Sequence, residues 1–187
     1  FSLEVSGFSK SVIEKSIYFR ESSILNFSPN DINLIKVDNL DQISNKLTPA
    51  LSIPSELGLK NLIIHPFGIN PWQQNNKNFL DLERLGRGKI LLQLFVRGNP
   101  FLGLDYQKEQ WVEAIKNLKM EERLSGVIVY GCPYLFDKIQ KTITYDIPLA
   151  YSPSQKWEAQ NQILCHLLRS KTSQKNKDKK LTIEFTD

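Results

Sequence analysis

Five apolar runs along the chain each end abruptly in a polar, glycine or proline turn. They are Asn33–Asp38, Asn61–Pro66, Ile90–Pro100, Gly126–Pro133 and Ile147–Pro153. The runs are nearly continuous rather than alternating, as in strands buried on both faces of a parallel sheet. Helix-period stretches lie between several of them. Trp111, Val112, Ile115 and Leu118 make one apolar stripe within about 105–119, with Asp105 as its cap and Lys108, Glu109, Glu113 and Lys116 on the wet side. A shorter helix follows the fourth run, over Leu135, Phe136 and Ile139. Another spans about 154–168, capped by Ser154, with Trp157, Ile163, Leu164, Leu167 and Leu168 turned inward. The chain opens on a further helix in which Phe8, Val12, Ile13 and Ile17 share a face, and residues 20–32 read as irregular. Asp41 is placed to cap a short helix through Leu47. Pro49 and Pro54 interrupt the next stretch, leaving a helical turn from Ser55 to Gly58. Residues 68–78 form a polar excursion, with a short helix over 79–85 after it.

This rhythm predicts one α/β domain over residues 1–187. Its architecture is a three-layer α/β/α sandwich around a mostly parallel sheet of five or six strands. Leu181–Phe185 alternates and predicts a half-buried edge strand, the last and antiparallel to the rest. The length of 187 residues suits one core. Because the chain begins at Phe1, it is expected to be processed or, the favoured reading, a fragment of something longer.

Composition adds little, with one exception. Hydrophobic residues make 41% and charged residues 24% of the chain, an ordinary globular balance. The net charge of +4 belongs to one segment. Between Arg169 and Lys180, six basic residues stand against Asp178 alone, so that stretch carries +5 and the remainder −1. Its Ser, Thr, Gln and Asn content marks a flexible solvated loop. It has no interleaved aromatics for stacking bases, which argues against nucleic acid. No apolar run approaches the about 20 residues of a membrane helix, and no secretory signal opens the chain. The compartment is left open, with cytoplasm slightly favoured.

Candidate chemistry is sparse. Cys132 follows a strand and Gly131, but Pro133 after it offers no N–H for an oxyanion, and Ser152 has the same defect through Pro153. Cys132 and Cys165 read as small core residues. His65 and His166 are far apart in sequence, which predicts no metal site. The Arg97–Gly103 turn lacks both the dinucleotide fingerprint and the Walker lysine, and no cofactor is predicted. Ligands of parallel sheets bind beyond the carboxyl ends of strands. The topology places Asp38, His65, Arg97, Asn99, Tyr130, Tyr134, Tyr151 and Ser152 at that edge, as candidates for substrate or domain contact. A rim with local hydrogen bonds is the plain alternative.

Three stretches carry a family resemblance: Pro49–Gly58 (PALSIPSELG), Leu92–Phe101 (LQLFVRGNPF) and Val127–Leu135 (VIVYGCPYL). They resemble the C-terminal domain of glycoside hydrolase family 3, in its cyanobacterial β-glucosidase-related or β-N-acetylhexosaminidase-like branch. Ile147–Ser152 followed by an amphipathic helix is similar as well. The resemblance implies an α/β sandwich that follows a (β/α)8 barrel. In that family the nucleophilic aspartate lies on the barrel, as does the histidine motif of the hexosaminidase branch. His65-Pro66-Phe67-Gly68 lacks the lysine and second histidine of that motif, so no catalytic residue carries over to this chain. Some branches place an acid/base glutamate on the second domain, and no glutamate here matches it. The expected role is a non-catalytic accessory domain of a retaining β-glycosidase, partnered by that barrel or by a second copy in a homodimer. Two rival expectations are a stand-alone module binding a sugar or nucleotide at the strand ends, and an unrelated hydrolase using Cys132 or Ser152.

Overall fold

The structure, a computed structural model, describes residues 11–20, 25, 27–37, 48–64, 85–96 and 106–168, with the backbone alone for 106–110. In chain order the elements are α1 (11–16), β1 (Tyr18–Phe19), β2 (Ile32–Val37), α2 (Pro49–Glu56), β3 (Lys60–Ile64), β4 (Ile90–Val96), α3 (Tyr106–Met120), β5 (Leu124–Gly131), α4 (Pro133–Thr142), β6 (Leu149–Ser152) and α5 (157–168). The six strands form one sheet in the order β1-β6-β5-β4-β2-β3. β2 through β6 are mutually parallel, and β1 joins β6 antiparallel, with Tyr18 opposite Tyr151 and Phe19 opposite Ala150. Counting only the parallel strands, the order is 2-1-3-4-5, a doubly wound arrangement whose direction of winding reverses between β2 and β4.

The α/β sandwich is thus as expected, and among the described residues the antiparallel strand is β1. The strand expected at Leu181–Phe185 lies outside the described residues, as do the helix capped by Asp41, the cap at Asp105, the 68–78 excursion with the 79–84 turn of its helix, and the basic 169–180 loop. β1 was hidden in the sequence because two residues show no period. It is held by its surroundings. Arg20, just after it, donates its backbone N–H to Leu149 O at 2.9 Å. The Arg20 guanidinium donates to Gln140 O (3.0 Å), Ile143 O (3.4 Å) and Thr144 O (2.7 Å), which satisfies carbonyls left over at the C-terminus of α4.

The sheet separates two cores. On one face α3 and α4 cover Ile90, Leu92, Leu94, Val127, Val129 and Leu149 with Trp111, Ile115, Leu118, Leu135 and Ile139. On the other, α2 and α5 cover Ile35, Leu91, Phe95, Ile128, Tyr130 and Ala150 with Ala50, Leu51, Ile163, Leu164 and Leu167. Strand residues alternate between the two sets, as the pleat requires. Val12 and Trp157, expected inward, are 51% and 57% exposed. Cys132 is buried as expected, whereas Cys165 is exposed on α5.

α2 is the largest departure from the sequence reading. Pro49 does not interrupt a helix but begins one, where its missing N–H costs nothing. Pro54 sits inside the same helix and removes the donor that Ala50 O would otherwise receive. The sheet below supplies that donor. Asn33 Nδ2 (2.8 Å) and Gln93 Nε2 (2.9 Å) both donate to Ala50 O. Asn61 Nδ2 donates to Leu51 O at 3.1 Å, and Gln160 Oε1 of α5 accepts the Ala50 N–H at 3.2 Å.

Candidate functional site

The candidate site lies at the carboxyl edge of the parallel strands. At the switch point between β2 and β4, Lys36 is buried and its Nζ donates to Val37 O at 3.2 Å. Asp38, His65, Arg97 and Asn99, which follow β2, β3 and β4 in sequence, lie outside the described residues. The candidates that the structure describes lie at the ends of β5 and β6 and in the first turn of α4.

There the strand ends are packed closed. Gly131 has φ +101°, and a Cβ on it would stand 2.5 Å from Val96 O and 2.7 Å from Gln155 Nε2, so glycine alone fits. Gln155 lies across this position and donates Nε2 to Tyr130 O at 3.1 Å. Gln155 O in turn accepts Gln160 Nε2 at 2.9 Å. Ser152 is buried, and its Oγ accepts the Ser154 N–H at 3.1 Å. Ser154 Oγ accepts the Lys156 N–H at 3.2 Å, one residue before α5 begins. The 152–156 turn is thereby fixed onto the ends of β5 and β6.

The other predicted contact residues divide between the two faces. Tyr130 points into the α2/α5 core, wholly buried and stacked on Phe95 at 4.3 Å between ring centroids. Its hydroxyl donates to Gln93 Oε1 at 3.3 Å, and burial pushes its pKa far up. Its side chain touches protein and not solvent. Tyr151 points to the α3/α4 side, stacked on Phe136 at 4.6 Å, with its hydroxyl 3.5 Å from Gly131 O. Burial first, and nearby Cys132 second, raise its pKa. Of the four described candidates, only Tyr134 stands mostly in solvent, at 59% exposure in the first turn of α4.

Sequence reasoning missed two sets of residues here. Trp157 continues the apolar period of α5, yet it begins that helix beyond the strand ends, where it is mostly exposed. Asn33, Lys36 and Gln93 were absorbed into apolar runs. A polar residue in a strand buried on both faces was the available signal, because such groups need internal partners. Gln93 meets that need fully: besides Ala50 O and Tyr130, its Nε2 donates to Asn33 Oδ1 at 2.8 Å. Asn33 Nδ2 donates further to Asn61 Oδ1 at 2.8 Å.

Chemically, the described edge offers aromatic rings on a fixed backbone. Cys132 is buried at the N-cap of α4 with Pro133 after it. Among the described residues no three His, Cys, Asp or Glu side chains gather as metal ligands would. No described helix is long and apolar enough to cross a membrane.

Sheet order and edge define a doubly wound α/β sandwich domain with a switch point. Residues 24–169 match the bacterial glycosyl hydrolase family 3 C-terminal domain, and the chain belongs to that family. Two solved structures are similar. One is the β-N-acetylglucosaminidase from Thermotoga maritima, with 14% identity and a TM-score of 0.46, covering 86% of this chain and 31% of that one. The other is the β-glucoside phosphorylase BglX, with 10% identity and a TM-score of 0.47, covering 87% of this chain and 29% of that one. The chain therefore spans about a third of the length of these structures. No curated protein matches the sequence.

Proposed function

We propose that this chain is a non-catalytic accessory domain of a retaining β-glycosidase, a β-glucosidase or β-N-acetylhexosaminidase, and packs on the catalytic barrel of the same polypeptide. The observation that carries this reading is the match of residues 24–169 to a domain defined by its C-terminal place in family 3 hydrolases. The packed ends of β5 and β6 support it. Tyr130, Ser152 and Gln155 spend their polar groups on the domain's own backbone and side chains, which builds a firm platform and leaves little to act on a bond. Asp38, Arg97 and Asn99, next in sequence after β2 and β4, are the proposed contacts at the switch point.

The test compares the complete polypeptide with this 187-residue chain on chromogenic β-glucosides and β-N-acetylglucosaminides. Turnover by the complete polypeptide and none by the chain is expected. Comparable turnover by the chain alone would overturn the accessory role. Tight binding of a glycan or nucleotide by the chain without a barrel would favour the stand-alone module instead.

A further inference from the structure

We propose that residues 181–185 add a further strand to the outer edge of β3, parallel to it, so that the chain covers its own sheet edge.

β3 is one end of the sheet. Among the described residues it pairs with β2 alone, over the five residues from Lys60 to Ile64. An edge strand of that length is a template for foreign strands unless something covers it. The packing beside it is also incomplete. Ile53 of α2, Leu57 at its C-cap and Ile63 of β3 border the α2/α5 core and are only partly buried. Residues 181–185 have the matching pattern. Leu181, Ile183 and Phe185 share one face of a strand, and Thr182 and Glu184 share the other. Laid beside β3 with the apolar face toward α2, the segment covers Ile53, Leu57 and Ile63.

Connectivity selects this edge over the other. α5 runs back from the carboxyl edge and ends at Leu168, at the amino edge where β3 begins. A strand entered from there runs parallel to β2 through β6. Parallel strands joined through a helix make right-handed crossovers. α2, on the same face as α5, leads from β2 to β3, whereas α3 and α4, on the other face, lead the opposite way from β4 to β6. A parallel strand reached through α5 therefore lies toward β3, and its first open place is beyond β3. A place beyond β1 would need the left-handed connection, and β1 offers only two residues to pair with. The reach suffices. A place beyond β3 lies five strand spacings from β6, about 24 Å. Residues 169–180 can span about 40 Å. Their path crosses the amino edge, where α2, α3, α4 and α5 all end with the negative poles of their dipoles. The six basic residues of this stretch suit that crossing.

The test is amide hydrogen exchange, read by mass spectrometry on the complete polypeptide. Amides in 181–185 are expected to exchange at least about tenfold more slowly than those in 169–180, as paired strand amides do against solvated ones. Deleting 181–185 is expected to speed exchange in Lys60–Ile64 by a similar factor and to leave residues 18–20 unchanged. Ile183→Asp should give the same pattern with the chain length intact, and it decides the matter if the deletion loosens the whole domain. Dilution should change nothing, because the pairing lies within one chain. Fast exchange throughout 181–185 would overturn the proposal. So would a protected segment whose removal or substitution acts on 18–20, or on neither edge. Protection lost on dilution would give the strand to a second copy and overturn it as well.

Discussion

The two faces of the sheet are built on different principles. The α3/α4 face is closed by apolar side chains packed on an apolar face of the sheet, so its fit rests on volume and shape. The α2/α5 face carries Asn33, Asn61, Gln93, Gln160 and Tyr130 in one connected set of hydrogen bonds. There, a shift of α2 by even part of a turn strands several buried polar groups at once. The difference shows why an eight-residue helix with a proline in it can be held in one position. Its weak helical pattern is offset by amides that rise from β2, β3 and β4 to meet the carbonyls of Ala50 and Leu51.

The contrast predicts different responses to substitution. On the apolar face, cost should follow volume. Trp111→Ala, at a residue 1% exposed, is expected to lower stability by about 4 kcal/mol in urea titration, and Trp111→Leu by roughly half of that. An equal loss from both would show that something other than packing volume sets the cost on this face.

On the amide face, cost should follow pairing. Gln93→Leu keeps the volume and yet leaves Asn33 Oδ1 and the Tyr130 hydroxyl without their partner, at an expected cost of about 3 kcal/mol. The role of Pro54 sharpens this. Pro54→Ala restores a backbone N–H toward Ala50 O, so the carbonyl depends less on Gln93. In that background Gln93→Leu is expected to cost about 1 kcal/mol less, within the range of coupling between residues that share a partner. Strict additivity in the double-mutant cycle would mean that the amides do not compensate for the proline.

The same contrast explains what the sequence disclosed. β2 to β6 and the stripe of α3 were legible because their pattern is repetitive: burial on both faces produces unbroken apolar runs, and one wet face produces a 3.6-residue period. α2 was not legible, since local rules treat Pro54 as a break and the compensation comes from Asn33 and Gln93, distant in sequence. β1 was too short to have a pattern, and its orientation depends on pairing with a strand more than a hundred residues away. At the site, strand ends could be counted from turns, which is why Tyr130, Tyr134, Tyr151 and Ser152 could be named together from the sequence. Which way each side chain faces was set by the pleat. A shift of one residue sends Tyr130 into one core and Tyr151 toward the other.

Tyr130 joins the two halves of the comparison, and its effect is the smallest and most specific to measure. Its ring packs like a member of an apolar core while its hydroxyl belongs to the amide set. Burial raises its pKa in the folded chain above the value of about 10 that it has when unfolded. The folded state thus holds a proton that the unfolded state releases. Its contribution is complete below about pH 10 and declines as pH rises from there toward the folded pKa, by up to about 1.4 kcal/mol for each pH unit. Tyr151 acts with the same sign. At pH 8, Tyr130→Phe should cost only about 1 kcal/mol, the usual net worth of a buried hydrogen bond. Between pH 10 and 11 the substituted protein should lose less stability than the unsubstituted one, so that the gap between them narrows or reverses. Parallel declines in the two proteins would place the alkaline sensitivity elsewhere and remove Tyr130 from the set.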